Sequence, residues 1–311
     1  MTADQHPSLA ARWRTETRFL MRSVRRGMRG RDLALIAAGL TFYAGISVVP
    51  LLLLALALTS LLTSPGTVRE FLAELSAVLP DELGAPDAVA RLADAGTRLD
   101  LLGGVLALVP MTFYGEGLRR ALLRFTHVHD TLTGWRGRLA VVPLLLLSPV
   151  LLYPLLMVVP VLRDLQRTGG FAAGVAGVAV GFYAVLFTLT GPLVYGFRVV
   201  AAGHLGWRAV VIGAFFTAAS LSGFLQGFVL FLALPLSLGA PFGGLDVVGG
   251  VVALGLWMFL LHLVVVAGWL FTQALDERFS LHRQERTRAT ARRSGARPGR
   301  PAPDPTRSGG G

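Results

Sequence analysis

Six long apolar segments alternate with shorter polar segments along the chain. A membrane-spanning helix needs about 20 apolar residues, and core helices of soluble domains seldom sustain such runs. The pattern therefore predicts an all-α, polytopic membrane protein with six transmembrane helices. We place the spans at about residues 33–62, 99–118, 139–162, 171–197, 207–234 and 245–271.

The polar segments complete the predicted organisation. Residues 1–31 contain eight arginines, and both an amphipathic helix on an anionic membrane surface and a solvated basic tail fit them. The acidic segment 63–98 predicts two short amphipathic helices in the first outer loop. Residues 276–311 predict a basic cytoplasmic tail that is disordered after its first turns, which leaves 32–275 as the membrane domain. The amphipathic helix within residues 1–31 is indicated by apolar residues at helical spacing, which are Trp13, Phe19, Leu20, Val24 and Met28.

Composition supports a protein that lives in lipid. Of the 311 residues, 53% are hydrophobic and 15% are charged, whereas soluble proteins carry about 25% charged residues. Cysteine is absent, which excludes disulfides, thiolate metal sites and cysteine nucleophiles. The sequence also contains no GxSxG elbow, no GxxxxGK[ST] loop and no HExxH motif. We therefore predict a protein that is not an enzyme and needs no cofactor or metal.

The arginines are sorted by side of the membrane. All 29 basic residues are arginine. With both termini inside, 24 arginines fall in inner segments and five in outer loops, as the positive-inside rule requires. The sequence thus predicts two cytoplasmic termini, and the anionic inner leaflet rather than a nucleic acid as the partner of the net charge of +11.

Four sequence blocks resemble the YihY/BrkB family of bacterial inner-membrane proteins. They are AAGLTFYAGISVVPLLLLAL in the first span, GEGLRRALLRFTHV after the second, Gly206-Trp207-Arg208 with Gly213-Ala214 at the fifth, and VVGGVVALGLWMFLLHLVVVAGWLFTQALDER in the sixth. The resemblance covers roughly residues 25–280. It implies a six-span protein of the bacterial inner membrane without a settled activity. Members were once labelled ribonuclease BN, a name now regarded as mistaken, and others are linked to virulence or suspected of transport. The chain departs from the family pattern at Leu123-Arg124, where Asn-Arg is usual.

The first span carries the most distinctive candidate site. Tyr43 and Ser47 lie one helical turn apart, Thr41 is nearby, and Pro50 removes one backbone hydrogen bond. Hydroxyl groups and freed carbonyls beside a kink form polar sites within lipid. The alternative is that the hydroxyls bond their own helix and Tyr43 packs between helices.

Other candidates lie at the inner rim and within the spans. Glu116 is three and four residues from Arg119 and Arg120, so an interfacial ion pair is favoured over a functional charge, with Arg124 beyond. His262 and Gln226 are intramembrane polar residues, for which bonding between helices is favoured over a proton relay. Gly170, Gly174 and Gly177 predict a face for close helix packing. The cluster His127, His129 and Asp130 resembles metal ligands but has no second cluster to complete a site.

Two functional hypotheses remain. The leading one is an inner-membrane protein that transports or flips a lipid or another amphiphilic or small solute. The alternative is a non-transporting scaffold or assembly protein of the cell envelope. A ribonuclease is disfavoured, because half of the acidic residues lie in predicted outer loops and the inner ones are scattered.

Overall fold

The computed structural model describes residues 9–76, 85–126, 142–201, 205–232, 234 and 238–293. All regular structure in these residues is helical. Within the described ranges, a π-helical turn (Gly196–Val200) and a short 3₁₀ helix (Ala240–Phe242) accompany nine α-helices. The α-helices are α1 (Leu9–Met28), α2 (Leu33–Leu62), α3 (Pro65–Ser76), α4 (Ala85–Thr97), α5 (Leu101–Leu123), α6 (Val142–Thr168), α7 (Gly170–Tyr195), α8 (Trp207–Leu232) and α9 (Asp246–Arg293).

Polar side chains cap the N-termini of three of these helices. Asp32 accepts a hydrogen bond from the backbone N–H of Leu35 at 2.9 Å, and Asp100 does the same for Gly103 at 2.8 Å. Ser64 accepts from the backbone N–H of Thr67 at 3.0 Å. Each bond satisfies an amide that the first helical turn leaves without a partner, which fixes where α2, α5 and α3 start.

Five of the described helices are long and apolar enough to cross a membrane. They are α2, α5, α7 with its π-helical turn, α8 and most of α9. The described part of the segment predicted as the third span is also helical, as α6, and it continues beyond the predicted end at residue 162 to Thr168. α3 and α4 lie where two short helices were predicted, and residues 77–84 between them are outside the described residues.

Five long helices form a ring. α2 packs against α6, α6 against α7, α7 against α8, α8 against α9, and α9 against α2. α5 packs on the outside of this ring, mainly against α2, and α3 and α4 cover one end. We call this covered end the α3–α4 end. The opposite end, where Arg31, Arg120, Arg124, Arg208 and Arg278 gather, is the arginine end.

The largest apolar core lies at the arginine end. It includes Leu40 of α2, Leu122 of α5, Phe197 of the π-helical turn and Trp269 of α9. The indole N–H of Trp269 donates to the carbonyl of Leu122 at 3.1 Å. The Leu122 carbonyl, in the last turn of α5, also accepts from the backbone N–H of Phe125 at 3.1 Å, and the second bond from Trp269 ties the end of α5 to α9.

α8 and α9 approach each other through two reciprocal glycine–threonine contacts. A Cβ atom added at Gly213 of α8 would collide with Thr272 of α9, and one added at Gly268 of α9 would collide with Thr217 of α8. Each threonine hydroxyl bonds the carbonyl of the glycine four residues before it on its own helix, so it stays turned towards its helix. Small residues allow membrane helices to approach this closely.

The glycine face predicted on α7 makes no close approach to another described helix. No described atom lies within 4 Å of a Cβ added at any of its three glycines, which are Gly170, Gly174 and Gly177. The close approach on α7 occurs instead at Gly181, where the amide of Gln226 lies 2.7 Å from an added Cβ. Small-residue spacing marks where a close approach is allowed, but the neighbouring helix decides where it occurs.

α9 differs from the expected end of the chain. It contains 48 residues, about 72 Å of helix, and continues to Arg293 where a disordered tail was predicted from residue 276. α1 explains the difference, because it packs along this extension. The Arg278 guanidinium donates to Glu16 at 2.7 Å and lies over the ring of Phe19, and Ser23 donates to Glu277. The extension thus has a folded partner, and α1 is docked on protein.

Candidate functional site

A groove of about 530 Å³ runs between α2 and α5 towards the arginine end. α2 provides an aliphatic wall ending at Tyr43, and α5 provides an apolar side chain followed by charged ones. One surface therefore changes along its length from apolar to basic. The lining residues are Leu35, Ile36, Gly39, Leu40 and Tyr43 of α2, and Phe113, Glu116, Gly117, Arg120, Ala121 and Arg124 of α5.

Tyr43 lies against the backbone of α5. A Cβ atom added at Gly117 would be 2.7 Å from Tyr43 Cδ2, closer than ordinary contact, so the absence of a side chain at Gly117 creates the space for the ring. Tyr43 thus separates the groove from the remainder of the α2–α5 contact. Tyr43 lies ten residues, or about 15 Å, from the start of α2.

Glu116 joins the charged residues of the groove. Its Oε1 accepts from Arg120 Nε at 2.6 Å, and its Oε2 lies 3.9 Å from Arg119 Nη1. The two arginines differ sharply, because the Arg119 side chain is 1% exposed and the Arg120 side chain is 71% exposed. Arg119 is part of the core, whereas Arg120 and the exposed Arg124 present positive charge to the groove.

A polar junction joins α2, α5 and α9 in the middle of the bundle. His262 is 6% exposed, its Nδ1 lies 2.7 Å from the carbonyl of Met258, and Thr41 Oγ1 is 3.2 Å from the same nitrogen. Nε2 lies 3.3 Å from the hydroxyl of Tyr114. Since the Met258 carbonyl only accepts and Thr41 donates to Ala37, Nδ1 carries the proton and Nε2 accepts from Tyr114. No partner for His262 could be identified from the sequence, whereas the structure places the side chains of Thr41 and Tyr114 next to it.

The predicted site in the first span is divided between separate places. Tyr43 lines the groove, whereas Thr41 faces the polar junction. Ser47 is buried and donates to the carbonyl of Pro110 in α5 at 2.6 Å. Pro50 lies within α2 beyond this bond. Ser47 is thus an attachment point between two proline-containing helices, and its acceptor lies on α5 rather than on its own helix. Of these hydroxyls, Thr41 does bond its own helix, through the carbonyl of Ala37.

A family model described as virulence factor BrkB matches residues 24–293. The chain belongs to the BrkB family. The resemblance noted in the sequence is thereby confirmed. Together with the five apolar helices, it makes the chain a multi-pass membrane protein. Neither a curated protein nor a solved structure matches the chain.

The blocks that carry the BrkB resemblance meet in space. The first two, in α2 and α5, contribute Tyr43, Gly117 and Arg120 to the groove. The last two, in α8 and α9, contribute Gly213 and Gly268 to the close helix crossing. The BrkB blocks therefore fall on the groove and on the helix pair that supports the arginine end.

Sequence reasoning missed two residues of this region. Tyr114 completes the polar junction and Gly117 creates the space for Tyr43. The stretch Thr112-Phe-Tyr-Gly-Glu116 did carry a signal, because it places a tyrosine and an acid together in an apolar segment. Gln226 was identified, but it lines a cavity at the α3–α4 end, far from the groove.

Metal ligands do not cluster in the part of the chain that the structure describes. No group of three or more His, Asp or Glu side chains there could hold an ion. The segment with His127, His129 and Asp130 lies outside the described residues.

Proposed function

We propose that this BrkB family protein has six spans in the bacterial inner membrane, with both termini in the cytoplasm, and that it moves an amphiphile across the bilayer. α6, third in chain order, adds to the five candidate spans in this proposal, since its 27 residues of helix, about 40 Å, exceed the hydrocarbon thickness. The distribution of arginines supports a cytoplasmic arginine end. The proposal assigns the chain no covalent chemistry, no metal and no nucleic acid.

The α2–α5 groove carries this proposal. An amphiphile has an apolar chain and a polar headgroup, and the groove has an aliphatic wall that leads to Arg120 and Arg124. With the arginine end in the cytoplasm, the chain of a lipid in the inner leaflet lies along the wall and its headgroup meets the arginines. Guanidinium groups bind phosphate through paired hydrogen bonds, so an anionic phospholipid fits best.

Glu116 supports the same assignment. In the structure its carboxylate accepts a hydrogen bond from Arg120, whose side chain is 71% exposed. A bound phosphate competes for that guanidinium, and Arg119 then remains as the neighbour of Glu116. The internal ion pair therefore keeps the cationic end of the groove compensated when no headgroup is present.

Reconstituted vesicles test the proposal. The full chain is placed in vesicles that contain fluorescent phosphatidylglycerol or phosphatidylethanolamine, and dithionite quenching follows the transfer between leaflets. Replacement of both groove arginines, Arg120→Gln with Arg124→Gln, is expected to lower the transfer of phosphatidylglycerol by about tenfold or more, because it removes charge-assisted hydrogen bonds. The matched control, Arg25→Gln with Arg29→Gln, removes two exposed arginines outside the groove and should leave transfer unchanged.

Two outcomes count against the proposal. Transfer by the groove variant at the wild-type rate would reject the groove as the site. A wild-type chain that moves neither lipid faster than protein-free vesicles would reject lipid transfer. If that result were joined by loss of envelope function on deletion of 280–311 or on replacement of the loop 66–96, the scaffold hypothesis would take its place.

A further inference from the structure

A second cavity, of about 420 Å³ and partly open, lies at the α3–α4 end. Four ring helices (α2, α6, α7 and α8) form its sides, and α3 and α4 complete its wall. Its lining is aliphatic apart from one polar side chain, the amide of Gln226. A volume in this range with few polar groups is characteristic of sites that bind small apolar ligands.

Small residues on α7 keep this cavity open. Gly181 and Ala184 face it, where larger side chains would fill the space. Its apolar lining offers water few polar partners, so water is a poor occupant. Left empty, its lining side chains would lack van der Waals contacts on one side. An apolar occupant is therefore favoured, and acyl chains are the apolar groups that surround a membrane protein.

An ion pair lies beside the cavity and indicates what accompanies the apolar group. Arg163 of α6 is 3.4 Å from Glu74 of α3. Each is the chain neighbour of a cavity-lining residue, Leu162 and Leu75 respectively. The Oε2 atom of Glu74 is buried and has no hydrogen-bond partner among the described residues. A buried carboxylate oxygen without a donor is unfavourable, so it favours a ligand that supplies an N–H or O–H group.

We propose that this cavity binds one acyl chain of a phospholipid, with the phosphate at Arg163 and a headgroup ammonium or hydroxyl donating to Glu74. The lipid belongs to the leaflet at the α3–α4 end. The site is distinct from the α2–α5 groove, since Leu56, which lines it, is 13 residues or about 20 Å along α2 from Tyr43. The inference does not rest on lipid transfer, because a lipid can occupy this cavity whether or not the protein moves lipids.

Photolabelling tests the site directly. The full chain is reconstituted in vesicles of phosphatidylethanolamine and phosphatidylglycerol that contain a trace of phosphatidylethanolamine with a diazirine in one acyl chain. After irradiation, mass spectrometry locates the label. We expect adducts at the cavity-lining Leu75, Val89 and Leu92 of α3 and α4, besides adducts at exposed positions such as Val251, which serves as the internal reference.

Filling the cavity gives the matched comparison. Ala184→Phe is expected to reduce labelling at Val89 to background relative to Val251. Ala179→Phe adds the same ring at an exposed position of α7 and should change nothing. If Ala184→Phe does not fold, as judged by its melting temperature in detergent, Val89→Phe fills the cavity from α4 and is read at Leu75. Absence of label on α3 and α4 in the wild-type chain, or equal labelling in the filled variants, overturns the proposal.

The ion pair is tested with two probes of the same chain length. Arg163→Gln should lower labelling by the diazirine phospholipid by about tenfold, since it removes a charge-assisted contact to phosphate. Labelling by a diazirine fatty acid, which lacks phosphate, should be unaffected. If Arg163→Gln leaves phospholipid labelling unchanged, the cavity does not recognise a phospholipid headgroup and the assignment fails. None of these readouts depends on lipid transfer, so this proposal and the proposed function can fail separately.

Discussion

The contact between α8 and α9 leads to a sharp prediction about Gly268. Replacement of Gly268 by alanine should destabilise the bundle, although alanine favours helix more than glycine does. The added methyl group would lie closest to Thr217 Oγ1, and it would be 2.6 Å from Thr217 Cγ2 and 2.9 Å from Thr217 Cβ. Thr217 cannot turn away without giving up its bond to the Gly213 carbonyl. The clash can therefore be relieved only if α8 and α9 move apart.

The contact distances set the size of the expected destabilisation. Carbon atoms pack at about 3.5–4.0 Å, so the helices must separate by about 1 Å at the substituted position. Overpacking of this kind costs about 1–3 kcal/mol. For a domain of this size, that corresponds to a melting temperature lower by about 2–12 °C. Gly213→Ala should behave similarly, because its methyl group would meet Thr272 in the reciprocal contact.

Thermal unfolding in detergent provides the assay, with two matched controls. Gly223→Ala on α8 and Gly255→Ala on α9 make the same substitution on the same helices, where no described atom lies within 4 Å of the added methyl group. These controls should melt at or slightly above the wild-type temperature, because alanine raises helix propensity by up to about 1 kcal/mol.

A second substitution separates the contact from other causes. Thr217→Ala removes Oγ1 and Cγ2, so the double variant Gly268→Ala with Thr217→Ala should recover part of the lost stability. Recovery should remain partial, since the Cβ atom of residue 217 still lies 2.9 Å from the new methyl group. If Gly268→Ala melted with the two controls, or if the double variant melted below Gly268→Ala, the reasoning about this contact would be refuted.

Two further predictions concern the polar junction and the docking of α1. Substitution His262→Leu should lower stability by about 1–3 kcal/mol, measured by thermal unfolding, because it leaves the hydroxyl of Tyr114 without its acceptor, and pairing it with Tyr114→Phe should restore part of the loss. The Arg278 guanidinium, which donates to Glu16, holds the pKa of that carboxyl below its usual value of 4.5. The docking of α1 should therefore be complete above this pH and weaken as the pH falls through the lowered pKa. Distances between spin labels on α1 and α9 measure this. Glu16→Gln should broaden the distance distribution at neutral pH without full undocking, because Ser23 still donates to Glu277 and Val24 still packs on the core; an unchanged distribution in Glu16→Gln would contradict the assignment.

Hydrophobic patterning predicted most of the helices. The apolar segments that form α2, α5, α7, α8 and α9 are longer than a helix in the core of a soluble protein requires. Their length alone therefore indicates that they lie in lipid. The end of α9 could not be predicted in this way. Its residues after Asp276 are polar and basic, and they are helical because α1 supplies Glu16 and Phe19 from more than 250 positions away. No local pattern contains such a contact.

The candidate site was predictable only in part. The spacing of Glu116 from Arg120 favoured the ion pair that the structure contains. By contrast, Thr41, Tyr43 and Ser47 were expected to form one polar site. Side chains two residues apart on a helix point about 200° apart, so Thr41 and Tyr43 meet different neighbours. Which neighbours they meet depends on the placement of α5 and α9, and the sequence of α2 does not encode that placement.

α2 links the two lipid sites that we propose. Before Pro50 it lines the groove through Tyr43, and after Pro50 it lines the cavity through Leu56. Pro50 lacks an N–H group, so one backbone hydrogen bond of α2 is missing between the two sites, next to the point where Ser47 holds α2 to α5. A change in the angle of α2 at this break alters both sites together. A ligand that binds better at one angle shifts the population towards that angle. We therefore expect occupancy of the cavity to change the affinity of the groove, and the reverse, by the same factor.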